Sequence, residues 1–353
     1  MTPDSPGPAR PGPAAPGPSG PAAPGARSPD LFGDGGSDLL GNLSLARSAV
    51  DRASHRRADS AWLAAAWADE ATRVLVLDGA QALVSFTADA AALEFTSPRH
   101  APGGVRFLLG VDDAGVAYFG VAGPKGGLGA GPLPGPGSGP AVPPEPGVRP
   151  AGLRQAGPLL GDRDAGLFTH AVALANWHAT HTHCPRCGAL TTPAMAGHSR
   201  HCPVDGSEHF PRVDPAVIML VADDRDRCLL ARNRSWPAGR VSILAGFVEP
   251  GESLEQAVIR EVGEETGLAV TGTRYVGSQP WPMPQSLMLG FVARAPGEQE
   301  IRVDEGEIAE ARWFSRDELL AAVTSRDVLL PPPVSIAHRI IESWYGAPLP
   351  GSW

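Results

Sequence analysis

Gly246-Phe-Val-Glu-Pro-Gly-Glu-Ser-Leu-Glu-Gln-Ala-Val-Ile-Arg-Glu-Val-Gly-Glu-Glu-Thr-Gly-Leu268 decides how the rest of the chain is read. Ser253 followed three residues later by Gln256 predicts a capping box that opens a helix over 253–266, and Gly267 suits its left-handed stop. On that helix Glu261, Glu264 and Glu265 stand three and four apart, so all three carboxylates leave one face near the C-terminal end. Crowded there, against a helix dipole that also disfavours anions, they destabilise one another unless a cation neutralises them. Oxygen donors alone point to Mg²⁺ or Mn²⁺. Leu254, Ala257, Val258 and Val262 supply the core-facing stripe, and Arg260 can pair with Glu252 or Glu264 and hold the approach loop to the helix.

A Glu-rich helix by itself reads as a solvated face; here the spacing decides. Gly246, five residues, Glu252, seven residues, then Arg260-Glu261-Val262-x-Glu264-Glu265-x-Gly267-Leu268 matches every fixed position of the Nudix box, and the chain resembles the Nudix hydrolase family. The resemblance implies an α+β fold with a layered α/β/α catalytic domain. It also implies hydrolysis of a nucleoside diphosphate derivative at its pyrophosphate, with divalent ions neutralising charge and lowering the pKa of an attacking water. By the same resemblance Arg260, Glu261, Glu264 and Glu265 are the catalytic residues. Glu261 and Glu265 are metal ligands, Glu264 is a further ligand or base, and Ala245 offers a backbone carbonyl to metal. Which glutamate is the general base stays open.

Ten residues on lies Ser278-Gln-Pro-Trp-Pro-Met-Pro-Gln-Ser-Leu-Met288. Three prolines in five residues predict a rigid, extended loop presenting Gln279, Trp281, Gln285 and Ser286, suited to a planar base with polar edges. The pattern resembles the hallmark of the NADH pyrophosphatase branch of the family. That implies substrate contacts from Gln279, Pro280, Trp281, Pro282, Met283, Pro284, Gln285 and Ser286, joined by Phe210 and Ala337. It also implies a metal-binding glutamate at Glu310, in the segment Glu307–Phe314. Phe210 stands where a tyrosine is usual, which removes a hydroxyl but keeps a stacking face.

Cys184-Pro-Arg-Cys187-Gly is half of a zinc knuckle, its spacing aiming two thiolates at one ion. Fifteen residues beyond Cys187, Cys202-Pro-Val-Asp205 occupies the place of the second half, with aspartate where the branch's zinc ribbon has cysteine. Three arrangements are open: Asp205 completes a structural Zn²⁺ site, His198, His201 or His209 does, or the site holds no metal. Cys228 falls in a predicted strand beyond the ribbon. His170, His178, His181 and His183 read as packing residues, as does the stretch Trp62–Trp67.

The 353 residues include 43 glycines and 38 prolines, nearly a quarter of the chain and too many for one compact fold. Residues 1–37 read as a disordered tail and about 123–150 as a flexible insertion. Between them, strand-like runs near 73–77, 82–86, 106–111 and 116–121 predict a β-rich domain over 38–181, closed by a helix at Leu167–His178; the resemblance makes this domain Nudix-like. A ribbon at 182–212 and the catalytic domain at 213–353 follow. Within the latter, strands are expected at 217–221, 228–231, 241–244, 287–293 and 312–314, with a last helix near 335–345.

Net charge is −9, carried against 28 arginines and one lysine, which disfavours general wrapping of nucleic acid. Neither a signal sequence nor a membrane span is evident, so a cytoplasmic protein is expected. The resemblance implies a homodimer that splits NADH or NAD⁺ into nicotinamide mononucleotide and AMP. Removal of NAD caps from RNA, hydrolysis of ADP-ribose or another dinucleotide, and a non-catalytic nucleotide sensor are the alternatives.

Overall fold

The computed structural model describes residues 40–123, 146–350 and 352–353. The Gly/Pro-rich tail and the bulk of the Gly/Pro insertion lie outside them.

The first part of the chain forms α1 (Ser60–Ala68), β1 (Arg73–Asp78), β2 (Gln81–Phe86), β3 (Ala91–Leu93), β4 (Val105–Val111), β5 (Ala117–Ala122), β6 (Gly147–Gly152), α2 (Leu153–Ala156) and α3 (Asp162–Thr180). The end of the expected insertion is thus a strand: residues 147–152 pair antiparallel with all of β2, their main chain satisfied by the ladder despite Pro150. The closing helix also starts five residues early, at Asp162, and buries Leu167, Phe168, Ala171, Val172, Leu174 and Ala175 in the core of this sheet. A small ribbon follows as β7 (Thr192–Ala194), β8 (Ser199–His201) and β9 (Glu208–His209).

The last part contains β10 (Asp214–Asp223), β11 (Cys228–Asn233), β12 (Leu244–Phe247), α4 (Leu254–Thr266), β13 (Thr271–Trp281), β14 (Ser286–Ala295), β15 (Ile308–Phe314), α5 (Arg316–Ser325) and α6 (Ile336–Tyr345). The sheet order is β13-β14-β10-β11-β15, with β10 and β14 parallel and β12 paired to the start of β10. Strand β10 shows why the domain is layered. Val217, Met219 and Val221 face α4 with Ala257, Val258 and Val262, whereas Ile218, Leu220 and Ala222 face α6 with Ile336, Ile340 and Trp344. A strand with apolar side chains on both faces must be covered on both. The fold is therefore α+β, a mixed sheet sandwiched by helices.

The N-terminal sheet repeats that order, with β4-β5-β1-β2 and β6 beside β2, and β1 and β5 as its parallel pair. Where the second unit inserts α4 between β12 and β13, the first has only the single turn Pro98–His100. It therefore has the sheet without the carboxylate helix.

Three other expectations shift. The strand placed at 241–244 lies at 244–247, so Ala245 and Gly246 sit within it. Helix α5 was not foreseen, although Ser315 and Glu318 form its complete capping box. Ser278–Trp281 is not loop but the end of β13, paired with Ser286–Leu289; β13 is an edge strand, where prolines cost no ladder bond, and only 282–285 turn.

Candidate functional site

Ser253 caps α4 through its hydroxyl, which accepts from the Gln256 amide at 3.3 Å, and Gly267 ends it at φ 69°. One face of the helix is buried on β10; the neighbouring face carries Arg260, Glu261, Glu264 and Glu265. Arg260 is the hub. Its Nε and Nη2 donate to the two oxygens of Glu252 at 2.8 and 2.9 Å, Nη1 donates to Glu261 at 2.8 Å and Glu264 at 2.9 Å, and Nη2 also reaches the Phe247 carbonyl at 2.9 Å. All five N–H donors are used, so the guanidinium joins approach loop, strand β12 and helix in one geometry that lysine could not reproduce. Both pairings considered from the sequence are present.

The carboxylates differ in environment. Glu264 is 61% exposed, Glu261 is 12% exposed, and Glu265 is 5% exposed. Burial raises the Glu261 carboxyl, opposed by Arg260. Burial, followed by the charges of Glu307, Glu261 and Glu264, pushes Glu265 up to about 8. Its Oε2 is buried without a hydrogen-bond partner. A buried carboxylate oxygen left unpaired among other carboxylates is costly, and an oxygen-seeking divalent cation would relieve it. The donor set therefore fits such an ion.

Glu307 is the residue that sequence reasoning missed. Glu310, expected as the metal ligand, is 59% exposed and pairs with Arg232 at 3.1 Å, while Glu307 is the one whose charge acts on Glu265 and Glu261. Glu307 stands in the turn 305–307 that precedes β15, whereas Glu310 lies on the strand opposite Arg232. Ala245 lies exposed on β12 opposite Ile218, beside Gly246. Phe247, 60% exposed at the end of the same strand, is a second residue the sequence reading passed over.

The substrate signature divides. Gln279 is fully buried, its amide donating to the Val334 carbonyl at 2.9 Å, so it braces the hairpin from within. Trp281 and Met283 pack against the N-terminal core, with the Arg154 guanidinium 5.7 Å from the Trp281 ring centre. Gln285 donates to Asp214 at 2.8 Å, and Ser286 pairs with Trp281 across the hairpin. Pro280 lies in the edge strand, with Pro282 and Pro284 in the turn. Ala337 is a core residue of α6 at 2% exposure, in one apolar cluster with Ile340 and Trp344, so its side chain is packed away rather than open to a ligand. Phe210 is 66% exposed on the link from ribbon to catalytic sheet.

In the ribbon, the sulfurs of Cys184, Cys187 and Cys202 and a carboxylate oxygen of Asp205 all lie within 4.8 Å of one another. Two equivalent turns bring them together. Cys184 accepts from the Gly188 amide and donates its own to Ala189; Cys202 accepts from Gly206 and donates to Ser207. Gly188 and Gly206 have φ of 74° and 73°. Asp205 thus holds in its turn the place Cys187 holds in the other, and its chemistry, like the thiolates', fits zinc. Of the histidines considered as alternatives, His198 Nε2 bonds the Leu108 carbonyl at 2.7 Å, His201 is exposed on β8, and His209 meets the cluster through the Ser207 hydroxyl.

Layered sheet, carboxylate helix and paired knuckles define a Nudix domain joined to a zinc ribbon. Residues 212–331 match the family described as the NUDIX domain and residues 179–210 match the NADH pyrophosphatase zinc ribbon domain, so the chain carries both modules. It is 50% identical over 200 residues to proteins named NAD-capped RNA hydrolase NudC in Mycobacterium bovis and Mycobacterium tuberculosis, covering 54% of this chain and 64% of theirs. It is 42% identical over 197 residues to the human NAD-capped RNA hydrolase NUDT12, covering 52% of this chain and 42% of that one. The chain thus spans less than two thirds of the length of these relatives. A Nudix hydrolase structure from Nitrosomonas europaea aligns at 20% identity with a TM-score of 0.38, over 48% of this chain and 96% of that one. Nudix hydrolases act with divalent metals. Among the described residues no helix is long and apolar enough to cross a membrane.

Proposed function

We propose that the protein hydrolyses the pyrophosphate bond of NADH or NAD⁺ to nicotinamide mononucleotide and AMP with Mg²⁺ or Mn²⁺. The observation that carries this is the buried, unpaired Oε2 of Glu265 under the charges of Glu261, Glu264 and Glu307. Glu261, Glu265 and Glu307 would hold the ions, with Ala245 contributing its carbonyl. When bound, the metal neutralises the pyrophosphate and lowers the pKa of a water. Arg260 keeps Glu261 and Glu264 aligned at one end of α4. Glu264, the exposed carboxylate, is placed to take a proton from an approaching water. Gln285, Ser286 and the ring of Phe210 are the surfaces left to meet the nucleotide.

In this reading residues 38–181 brace the site, 182–212 bind structural Zn²⁺ through Cys184, Cys187, Cys202 and Asp205, and 213–353 carry the chemistry of a cytoplasmic homodimer. The relatives' printed name favours a second substrate, NAD-capped RNA. The test is a product assay with NADH, NAD⁺, ADP-ribose and NAD-capped RNA. Mononucleotide plus AMP from NADH, absent in Glu265→Gln, supports the reading. Turnover of capped RNA alone replaces it with cap removal, and no turnover of any substrate sinks it.

A further inference from the structure

The Pro282–Gln285 turn cannot hold itself. Proline has no N–H, so a turn carrying Pro282 and Pro284 after Pro280 is poor in donors and rich in carbonyls. Its own main chain supplies the bond from the Met283 amide to the Trp281 carbonyl, at 2.7 Å. The missing donors come from outside the catalytic domain. Asn176, on α3, donates through Nδ2 to the Pro282 carbonyl at 2.8 Å and the Pro284 carbonyl at 3.2 Å. Both partners are acceptors, which fixes which end of the amide faces the turn. Around this clamp, Trp281 and Met283 are seated on the N-terminal core. On the other flank Asp214 donates its amide to the Gln285 carbonyl at 2.9 Å and accepts from the Gln285 side chain, while Arg212 Nε holds the Asp214 carboxylate at 2.6 Å.

We infer that Asn176 is a positioning residue for substrate recognition: through the Pro282 and Pro284 carbonyls it fixes the turn that meets the nucleotide, so substrate affinity depends on a helix of the N-terminal domain. The inference rests on the functional reading above. A clamp on a binding surface acts on substrate and transition state alike, so its loss raises KM and leaves kcat alone. Asn176 is half-buried at the helix surface, and its replacement leaves no core cavity.

The experiment compares the full chain with Asn176→Ala and Asn176→Asp, using NADH and Mn²⁺, alongside hydrogen exchange of the peptide covering 281–289. With two hydrogen bonds lost, KM for NADH is expected to rise about tenfold in Asn176→Ala with kcat within about twofold of wild type. Asn176→Asp has the same shape but points acceptors at two carbonyls, and its KM should rise further. Asn176→Gln, which keeps both donors on a longer stem, should recover part of the loss. The turn amides should exchange faster in Asn176→Ala. An unchanged KM, or a fall in kcat alone, overturns the inference. Absence of turnover in the wild type would sink the functional reading instead, and the clamp would then stand or fall on whether exchange of the turn quickens.

Discussion

The α-carbon of Gly246 lies against the carboxylate of Glu261: a Cβ on residue 246 would fall within the carboxyl group itself. Strand β12 and helix α4 approach this closely because residue 246 has no side chain, and the same carboxylate is held at 2.8 Å by Arg260. Gly246→Ala must therefore push Glu261 off its position. The expected result is a loss of kcat of about 100-fold or more, with a stability cost of about 1–3 kcal/mol from overpacking. Steady-state turnover and thermal unfolding check it; near-normal activity would show that Glu261 can move without harm.

Glu265 gives a second prediction, in which activity and stability change in opposite directions. Its Oε2 has no partner, and three other carboxylates act on it. Glu265→Gln removes a proposed metal ligand together with a buried carboxyl that ionises only at a cost. Turnover should fall about 100-fold or more, while in EDTA the variant should melt at a higher temperature than wild type, because the cost of burying the carboxyl and its repulsion by the neighbouring carboxylates are both relieved. Added Mn²⁺ should stabilise wild type more than the variant. Equal melting temperatures in EDTA would contradict the crowding argument.

Asp205 occupies the fourth position of the cysteine cluster, within a turn that copies the Cys184–Gly188 turn. Asp205→Ala should lower zinc affinity about 100-fold or more and lower the melting temperature, because metal binding and ribbon folding are one equilibrium. Asp205→Cys should hold zinc at least as tightly as wild type. Metal content after dialysis against a graded chelator series reads both changes. A full zinc complement in Asp205→Ala would assign the fourth ligand elsewhere.

The carboxylate helix was legible because local rules and family spacing agree there: cap, stop and glutamate spacing all lie within twenty-three consecutive residues. The knuckles were legible for the same reason, although only the structure distinguishes Asp205 from His198 and His209. The choice between Glu307 and Glu310 was not, since the family segment contains both and only the folded chain sets Glu310 opposite Arg232 and brings the charge of Glu307 to bear on Glu265. Nor was the edge strand at Ser278–Trp281, because three prolines argue against any strand until its place in the sheet order is known. Asn176 carries no motif at all; its role depends on α3 lying beside a hairpin more than a hundred residues away.

Acid should unfold the protein partly through histidines that lie outside the site. Burial, with the nearby Arg57 and Arg52 guanidiniums and His178, outweighs the Leu108 carbonyl and pushes His198 down to about 4; burial, Arg52, His198 and Arg57 push His170 down to about 3. The two rings sit 5.1 Å apart, while His178 donates through Nε2 to the Gly197 carbonyl and accepts at Nδ1 from Arg200. Both folded pKa values lie below the ordinary histidine value near 6.5, so above that pH neither state is protonated and the neutral rings support the fold at full strength. As pH falls below about 6.5 the unfolded chain takes up protons that the folded chain refuses, and stability drains until the folded rings titrate near pH 4 and below. For His198 alone the loss is on the order of 3 kcal/mol. His198→Gln, able to donate to the same carbonyl without titrating, should flatten the fall in melting temperature between pH 6.5 and 4. Zinc release adds its own acid slope in both proteins, so the difference between the two curves is the quantity to measure. Parallel curves would show that His198 is protonated in the fold at no cost.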